Sequence, residues 1–229
     1  FNLNFFCHKV PTDYAQKVQV WRAALAPYYS ELEIGESHPA LSTVRSPFTP
    51  ASVELIEQLL PEVVSFHFGL PSPDLLARVK ASGAKIFSSA TTVDEAIWLE
   101  EHGVDAVIAQ GREAGGHRGM FLSSDLTTQV GTFSLLPQIV RSVCVPVIAA
   151  GGIADSRGVR AAFELGASAV QLGTAFLLCH EATTSELHRA ALKSSASAHT
   201  AITNVFSGRP ARSIMNRVVR ELGPISDKT

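Results

Sequence analysis

His117 is surrounded by glycines in the stretch 110–119, which reads QGREAGGHRG. The apolar run 105–109 (DAVIA) before it is short and β-branched, so it predicts a buried strand that ends where the glycines begin. In an α/β protein with parallel strands, ligands bind at the carboxyl ends of the strands. A neutral imidazole there is a candidate general base near pH 7. The alternative interpretation is a plain turn at Gly115 and Gly116, with His117 as a surface residue.

Two further glycine sites predict a phosphate-binding edge. Gly151 and Gly152 end one apolar segment, and Gly173 with Thr174 ends the next. In eight-stranded α/β barrels, phosphate is bound by the loops after strands seven and eight and by the positive end of a short helix. Glycine lets a phosphate approach backbone N–H groups that a side chain would obstruct. The alternative is that these are ordinary turn glycines.

Six apolar runs predict strands, and helical patterns with clear start signals lie between them. The runs cover residues 1–7, 63–70, 85–90, 105–110, 146–151 and 168–176. The start signals are Thr49 with Pro50, Ser72 with Pro73, a capping box of Thr92 and Glu95, and Asp155. Continuous apolar strands are expected where both faces of a parallel sheet are covered. An open doubly wound sheet and a closed barrel both fit this repeat, and the last two units favour the barrel.

If the last two strands are the seventh and eighth of a TIM-type (β/α)8 barrel, the strand at residues 1–7 is the third. The chain then holds about six strands, and two units are absent at the front. Six strands do not close a barrel of eight, because the remaining edges expose unpaired backbone. We therefore expect either a fragment of a longer protein or a different architecture.

The barrel portion is predicted to span residues 1–180, followed by a helical C-terminal segment at 181–229 that begins a smaller substrate-side region. In that segment a helix, a loop and a second helix are expected, with a turn around Gly208 and Pro210. Arg209 and Arg212 beside this turn either contact a ligand phosphate or lie at the surface or in an interface.

Composition limits the classes of function. The 229 residues are 46% hydrophobic and 17% charged, which predicts a sizeable core in one large α/β domain or two small ones. A net charge of -2 with scattered basic residues gives no field for nucleic acid or an anionic membrane, and no apolar run reaches bilayer-spanning length. The distant Cys7, Cys144 and Cys179 suit buried reduced thiols, not a metal site, and favour a cytoplasmic location. The sequence leaves oligomeric state open, a homo-oligomer included.

The segments AQGREAGGHRG, VIAAGGIADSRG and GASAVQLGTAF, in this order and at β/α spacing, resemble the nitronate monooxygenase family. The segments FNLNFFCH, VVSFHFG, KIFSSATT and FSGRPAR also resemble it, so the similarity covers nearly the whole chain. The resemblance implies a TIM-type barrel holding FMN, which oxidises alkyl nitronates, and in some members nitroalkanes, with dioxygen to a carbonyl compound and nitrite. It also implies that the family's first β/α units and C-terminal region are missing here.

The resemblance further implies roles for individual residues. His117 would be the catalytic base, taking the proton α to the nitro group of neutral nitroalkanes. Contacts to the flavin or its phosphate would come from Asn4, Gln110, Gly115, Gly151 or Gly152, and the backbone and hydroxyl groups of Gln171, Leu172, Gly173 and Thr174. His67 and Ser89 are candidates for lining the pocket.

Three alternatives to this function stay open. A flavin-dependent enoyl-acyl carrier protein reductase shares the barrel, FMN and a loop histidine, but reduces a double bond with NAD(P)H. A truncated, non-catalytic relative would keep the glycine loops without using them. A barrel binding another phosphorylated metabolite without flavin is the third.

Overall fold

A computed structural model describes residues 1–11, 13–35 and 46–229, and a parallel sheet of six strands lies at its centre. A second, three-stranded sheet is small and antiparallel. The strands of the large sheet are β1 (Asn2–Phe6), β2 (Val63–His67), β3 (Lys85–Ala90), β4 (Ala106–Gln110), β6 (Val147–Ala150) and β7 (Ala169–Gln171), and those of the small sheet are β5 (Gly116–His117), β8 (Thr200–Thr203) and β9 (Ala211–Ile214).

Eight α-helices are present in the described ranges. They are α1 (Tyr14–Glu31), α2 (Pro50–Leu59), α3 (Pro73–Ala81), α4 (Val93–Glu101), α5 (Thr132–Ser142), α6 (Ser156–Glu164), α7 (Glu186–Lys193) and α8 (Arg217–Leu222). Four of them, α1, α3, α4 and α6, come directly after a strand of the large sheet. The sequence signals did not predict α1.

The large sheet is wound in one direction only. Its strand order is β1-β2-β3-β4-β6-β7, so each strand lies beside the preceding strand of the same sheet, and all neighbours are parallel. A doubly wound sheet reverses its order in the middle, which this sheet does not do. The fold is therefore an α/β half-barrel, consistent with part of a TIM-type barrel.

The hydrophobic core lies between the sheet and its helices. Fully buried Val64, Ile86 and Val107 on the strands pack in one cluster with Ile56 and Leu99 on α2 and α4. Burying a side chain of this size stabilises a fold by about 1.5–3 kcal/mol. Because strand side chains alternate, the opposite face carries the other residues. On β4 these are Ala106, Ile108 and Gln110, which are also buried, so the middle of the sheet is covered on both faces.

The expected strands are all present, although most are shorter than predicted. The strand expected at 63–70 ends at His67, because Phe68 and Gly69 adopt left-handed φ values of 68° and 85°. The strand expected at 168–176 ends at Gln171, and Thr174 begins a 3-10 helix instead. The residues that follow His67 and Gln171, which were predicted to lie in these two strands, therefore lie outside the sheet.

The expected helix starts are confirmed, with one change at α4. Thr49, Ser72 and Asp155 are the N-cap residues of α2, α3 and α6. At α4, the Thr92 hydroxyl accepts a hydrogen bond from the Glu95 N–H at 3.2 Å, as a capping box requires.

The Glu95 carboxylate has a different use from the one expected. It is only 1% exposed, and it accepts hydrogen bonds from the Thr91 N–H and hydroxyl, both at 2.7 Å. Its other oxygen accepts from the N–H groups of Phe121 and Leu122, at 2.6 and 3.2 Å. Glu95 therefore ties the start of α4 to the chain that follows His117.

The C-terminal segment contains helices α7 and α8, but also strands that were not expected. β8 and β9 form an antiparallel hairpin, whose turn includes Gly208 at φ 72°, and β9 also pairs with β5. Arg212 on β9 donates from Nε to the Arg112 carbonyl at 3.0 Å and from Nη1 to the Thr200 hydroxyl at 2.9 Å. These contacts fasten the hairpin to the loop that carries His117.

Cys7, Cys144 and Cys179 are free thiols. Cys144 is exposed, so the expectation of burial is wrong for this residue, whereas burial raises the pKa of the half-buried Cys7 to about 12. Within the described ranges, no helix is long and apolar enough to cross a membrane, and no group of three or more potential metal ligands occurs.

Candidate active site

The carboxyl ends of β4, β6 and β7 bring most of the predicted site residues together. Gln110, Ala150 and Gln171 are register partners across these three strands. A Cβ on Gly115 would lie 2.7 Å from the Thr174 hydroxyl oxygen. Because a side chain at Gly115 would displace this hydroxyl, the glycine permits a close approach of the segment 111–119, here called the His117 loop, to the turn after β7.

The turns after β6 and β7 present bare backbone. Gly151 and Gly152 have φ values of 118° and 69°, which side chains rarely adopt. A Cβ on Gly173 would meet nothing within 4 Å. Among the residues that the structure describes, the N–H groups of Gly152 and Gly173 donate no hydrogen bond. N–H groups without a protein acceptor can bind a phosphate group, and at Gly173 the space in front of the backbone is also open.

Asn4 and Leu172 differ from the other predicted contacts. Asn4 lies three strands away from Gln110, on β1, where its Oδ1 accepts a hydrogen bond from the Ser65 hydroxyl at 2.9 Å. The Leu172 side chain packs against the hydrophobic core, so only its backbone is available to a ligand at the sheet edge.

His117 lies on a short strand, not in the irregular loop that its glycine neighbours suggested. As part of β5 it pairs with Ala211 of β9, and its Nε2 lies 2.7 Å from the Ser207 hydroxyl in the β8–β9 turn. The Phe68 ring packs edge-on against the imidazole, with ring centroids 6.0 Å apart. Ser207 was not predicted, because its contact depends on a hairpin 90 residues further along the chain.

The Gln110 side chain holds the His117 loop from below. Its Nε2 donates to the His117 carbonyl at 2.9 Å, and its Oε1 accepts from the Gly119 N–H at 2.7 Å. Gln110 is 7% exposed. The amide that was predicted to contact the flavin therefore also has a structural use on both of its polar atoms.

The Arg118 side chain also stabilises the His117 loop. Its guanidinium donates to the carbonyls of Gly111 at 2.7 Å and Gln110 at 2.8 Å, and to Oε1 of Gln129 at 3.0 Å. The residue is 1% exposed. Burial lowers the pKa of Arg118 to about 10, with Arg212 contributing, so the group stays charged at neutral pH.

Replacing Arg118 with methionine is expected to lower the free energy of unfolding by about 3 kcal/mol, because buried carbonyl groups lose their donors. Urea denaturation of both proteins measures this difference. Arg112→Met is the matched control, because Arg112 is exposed on the same loop, and it should change stability by less than about 0.5 kcal/mol. Equal stability of the Arg118 variant and the wild type would contradict this role.

Hydrogen bonds of Glu113 and Thr132 connect the His117 loop to the glycine turn after β6. The Glu113 carboxylate accepts hydrogen bonds from the Thr132 N–H at 2.8 Å and its hydroxyl at 2.9 Å. That hydroxyl also lies 2.8 Å from the Gly151 carbonyl. A Cβ on Gly151 would lie 2.9 Å from the Ala114 nitrogen, so the two loops touch through backbone.

His67 lies beneath His117, at the end of β2. Its Nε2 is 3.2 Å from the His117 carbonyl oxygen, and its Nδ1 is 3.1 Å from the Ser89 hydroxyl. Burial lowers the pKa of His67 from 6.5 to about 4. Both pocket candidates therefore lie close to His117, with their polar atoms bonded to each other and to the loop.

The His67 pKa predicts a pH dependence of stability. As the pH falls below 6.5, the unfolded chain binds a proton that the folded chain refuses until about pH 4. The free energy of unfolding should therefore decrease by about 3 kcal/mol across this interval. Urea denaturation from pH 7 to pH 4 measures the slope. His67→Gln should flatten it, His188→Gln on exposed α7 should not, and an unchanged slope in His67→Gln would contradict this origin.

A groove of about 550 Å³ opens at the carboxyl ends of β1 and β2. Its lining includes the basic residues Lys9, Arg118 and Arg209, and none of the described lining residues is acidic. The Arg209 guanidinium donates to the Lys9 carbonyl at 2.7 Å and lies 5.2 Å from the centre of the Phe68 ring, which packs on His117. The groove is therefore electropositive next to the candidate base.

A singly wound parallel half-barrel with glycine turns at its carboxyl edge defines the chain as an α/β-barrel type of protein. The family model for nitronate monooxygenase matches residues 1–229. The chain belongs to the nitronate monooxygenase family.

Relatives and solved structures agree with this assignment. Nitronate monooxygenase of Paraburkholderia phytofirmans is 44% identical over 219 residues, covering 94% of this chain and 59% of that protein. Nitronate monooxygenase of Pseudomonas aeruginosa is 42% identical over 221 residues, covering 95% and 62%. Nitroalkane oxidase from Streptomyces ansochromogenes has a TM-score of 0.86 at 38% identity, covering 98% of this chain and 64% of that one. The chain thus spans about three fifths of the length of these relatives.

A second solved structure is similar over a smaller part of the chain. FabK from Thermotoga maritima has a TM-score of 0.64 at 36% identity, covering 78% of this chain and 54% of that one. The described fold is therefore shared by proteins with different names.

Proposed function

We propose that this chain binds FMN at the carboxyl edge of β4, β6 and β7 and oxidises alkyl nitronates, and nitroalkanes after deprotonation, with dioxygen to a carbonyl compound and nitrite. The observation that carries the proposal is the position of His117 over the same edge that presents the free N–H groups of Gly152 and Gly173. Family membership supports the same activity.

The phosphate of FMN would be held by the N–H groups of Gly152 and Gly173 and by the Thr174 hydroxyl. Gly115 would allow close approach, and Gln110 and Asn4 would face the polar edge of the flavin. The six strands would then be the third to eighth of an eight-stranded barrel, with residues 1–180 as its FMN-binding portion and 181–229 on the substrate side. The free thiols support a reducing cytoplasm.

In this proposal the protein positions the substrate and moves one proton. His117 Nε2 takes the proton α to the nitro group, and the Ser207 hydroxyl, 2.7 Å away in the free protein, yields its place to the substrate. Lys9 and Arg209 attract the anionic nitronate into the groove. Bound FMN would supply the oxidation–reduction chemistry.

Product analysis tests the proposal against the reductase alternative. The chain, reconstituted with FMN, should release nitrite from propionate 3-nitronate in air and should not oxidise NADH with an enoyl thioester. NADH oxidation without nitrite release would favour the reductase. A chain that binds FMN and does neither would contradict both enzymes and favour a non-catalytic relative.

A further inference from the structure

We propose that His67 is a positioning residue for His117: its imidazole and the Gln110 amide together fix the His117 carbonyl, and so set where the His117 imidazole stands. The inference rests on the proposed function, in which His117 removes a proton. It goes beyond that function because it assigns a role to a residue that contacts neither the reacting carbon nor the phosphate edge.

The peptide unit after His117 is held at both of its polar atoms. Its carbonyl oxygen accepts from His67 Nε2 at 3.2 Å and from Gln110 Nε2 at 2.9 Å, so donors reach it from two different strands. The N–H of the same unit belongs to Arg118 and donates to the Pro210 carbonyl at 2.8 Å. Rotation of this unit would therefore break three hydrogen bonds, and the direction of the His117 side chain depends on it.

The two neighbours of the His67 ring fix its tautomer. A carbonyl oxygen only accepts, so Nε2 carries the hydrogen in the bond to His117. Nδ1 must then accept from the Ser89 hydroxyl, 3.1 Å away. Burial keeps the ring neutral at neutral pH by lowering the pKa of His67. Ser89 thus holds His67 in the tautomer that can donate to the loop.

Gly119 and Phe68 pack around the His67 imidazole. A Cβ on Gly119 would lie 2.8 Å from Cε1 of His67, so a side chain there would push the ring away. Phe68 contacts both imidazoles, with ring centroids 4.7 Å from His67 and 6.0 Å from His117. Phe68 has a φ of 68°, which is uncommon for a bulky residue. Such backbone strain concentrates at functional sites.

Two substrates separate positioning from general damage. Nitroethane needs a base to lose its proton, whereas its preformed nitronate does not. We expect His67→Leu to lower kcat/KM for nitroethane by about tenfold, because misplaced catalytic groups lose rate steeply. The value for the nitronate should stay within about twofold. His67→Gln keeps a donor near the Nε2 position and should recover most of the nitroethane rate, and His188→Leu on exposed α7 is the matched control.

A second readout does not depend on turnover. Nitrogen-15 NMR of the histidine-labelled chain should show shifted and broadened His117 ring signals in His67→Leu, with recovery in His67→Gln. If His67→Leu fails to fold, Ser89→Ala is the second variant. It keeps the His67 ring but removes the hydroxyl that fixes its tautomer, so it should lower the ratio of kcat/KM for nitroethane to kcat/KM for the nitronate, less strongly than His67→Leu. An unchanged ratio together with unchanged His117 signals would overturn the inference. Wild-type chain that does not oxidise the nitronate would contradict the proposed function, and the NMR comparison would still decide the role of His67.

Discussion

Replacing His117 with alanine is expected to lower kcat/KM for neutral nitroethane by about a hundredfold to ten-thousandfold, the range that a positioned general base contributes. The reason is local: in the proposed function Nε2 of His117 takes the proton, and in the free protein this atom lies 2.7 Å from the Ser207 hydroxyl. The preformed nitronate of the same compound carries no proton to remove, so its oxidation should fall far less. Initial rates of nitrite release with the two substrates measure both effects.

The control for His117→Ala is His188→Ala, because His188 is exposed on α7. It should leave both rates unchanged. An equal loss on nitroethane and on the nitronate would assign His117 to binding or to flavin chemistry. Undiminished nitroethane turnover in His117→Ala would exclude it as the base.

Replacing Gly173 with valine is expected to weaken FMN binding by about a hundredfold, the effect of losing hydrogen bonds to a charged group. A Cβ added at Gly173 would meet no atom within 4 Å, so we expect the fold to tolerate the replacement. The backbone at Gly173, with φ -110° and ψ -79°, does not demand glycine. The valine would instead fill the space through which the phosphate approaches the N–H groups. Quenching of FMN fluorescence on titration with the chain measures the Kd.

Ser168→Val is the matched control, because Ser168 is exposed at the amino end of the same strand, away from the phosphate edge. It should keep the wild-type Kd. Wild-type affinity in Gly173→Val would show that the phosphate does not use the turn after β7.

Local signals in the sequence account for much of the fold. Strand β3 was predicted with its observed bounds, because its apolar run is flanked by turn residues. The caps at Thr49, Ser72 and Asp155 were also predicted correctly, since a cap depends on residues within one helical turn. The parallel winding followed from the β/α repeat.

Long-range contacts explain what the sequence could not predict. Strands β8 and β9 have four residues each and form only because they pair with each other and with β5. Glu95 satisfied the local pattern of a capping box, but the distant N–H groups of Phe121 and Leu122 take one of its oxygens. Competition between local and distant partners is not visible in a short motif.

The candidate site shows the same division. The turns at Gly151 and Gly173 were predicted from their glycines alone, because a segment that exposes its backbone is recognisable by its glycines. The roles of His67 and Arg118 depend on long-range contacts. His67 lies at a strand end 50 residues before His117 and contacts its carbonyl only in the folded chain. The Arg118 guanidinium is buried among backbone carbonyl groups. The roles of the predicted residues in catalysis and flavin binding stay predictions.

The most direct test of the proposed function is a visible absorption spectrum of the chain titrated with FMN, followed by anaerobic addition of propionate 3-nitronate. The proposal predicts a protein-bound flavin spectrum that bleaches on addition of the nitronate and returns when air is admitted. A chain that stays colourless after titration, or a bound flavin that the nitronate does not reduce, would contradict it.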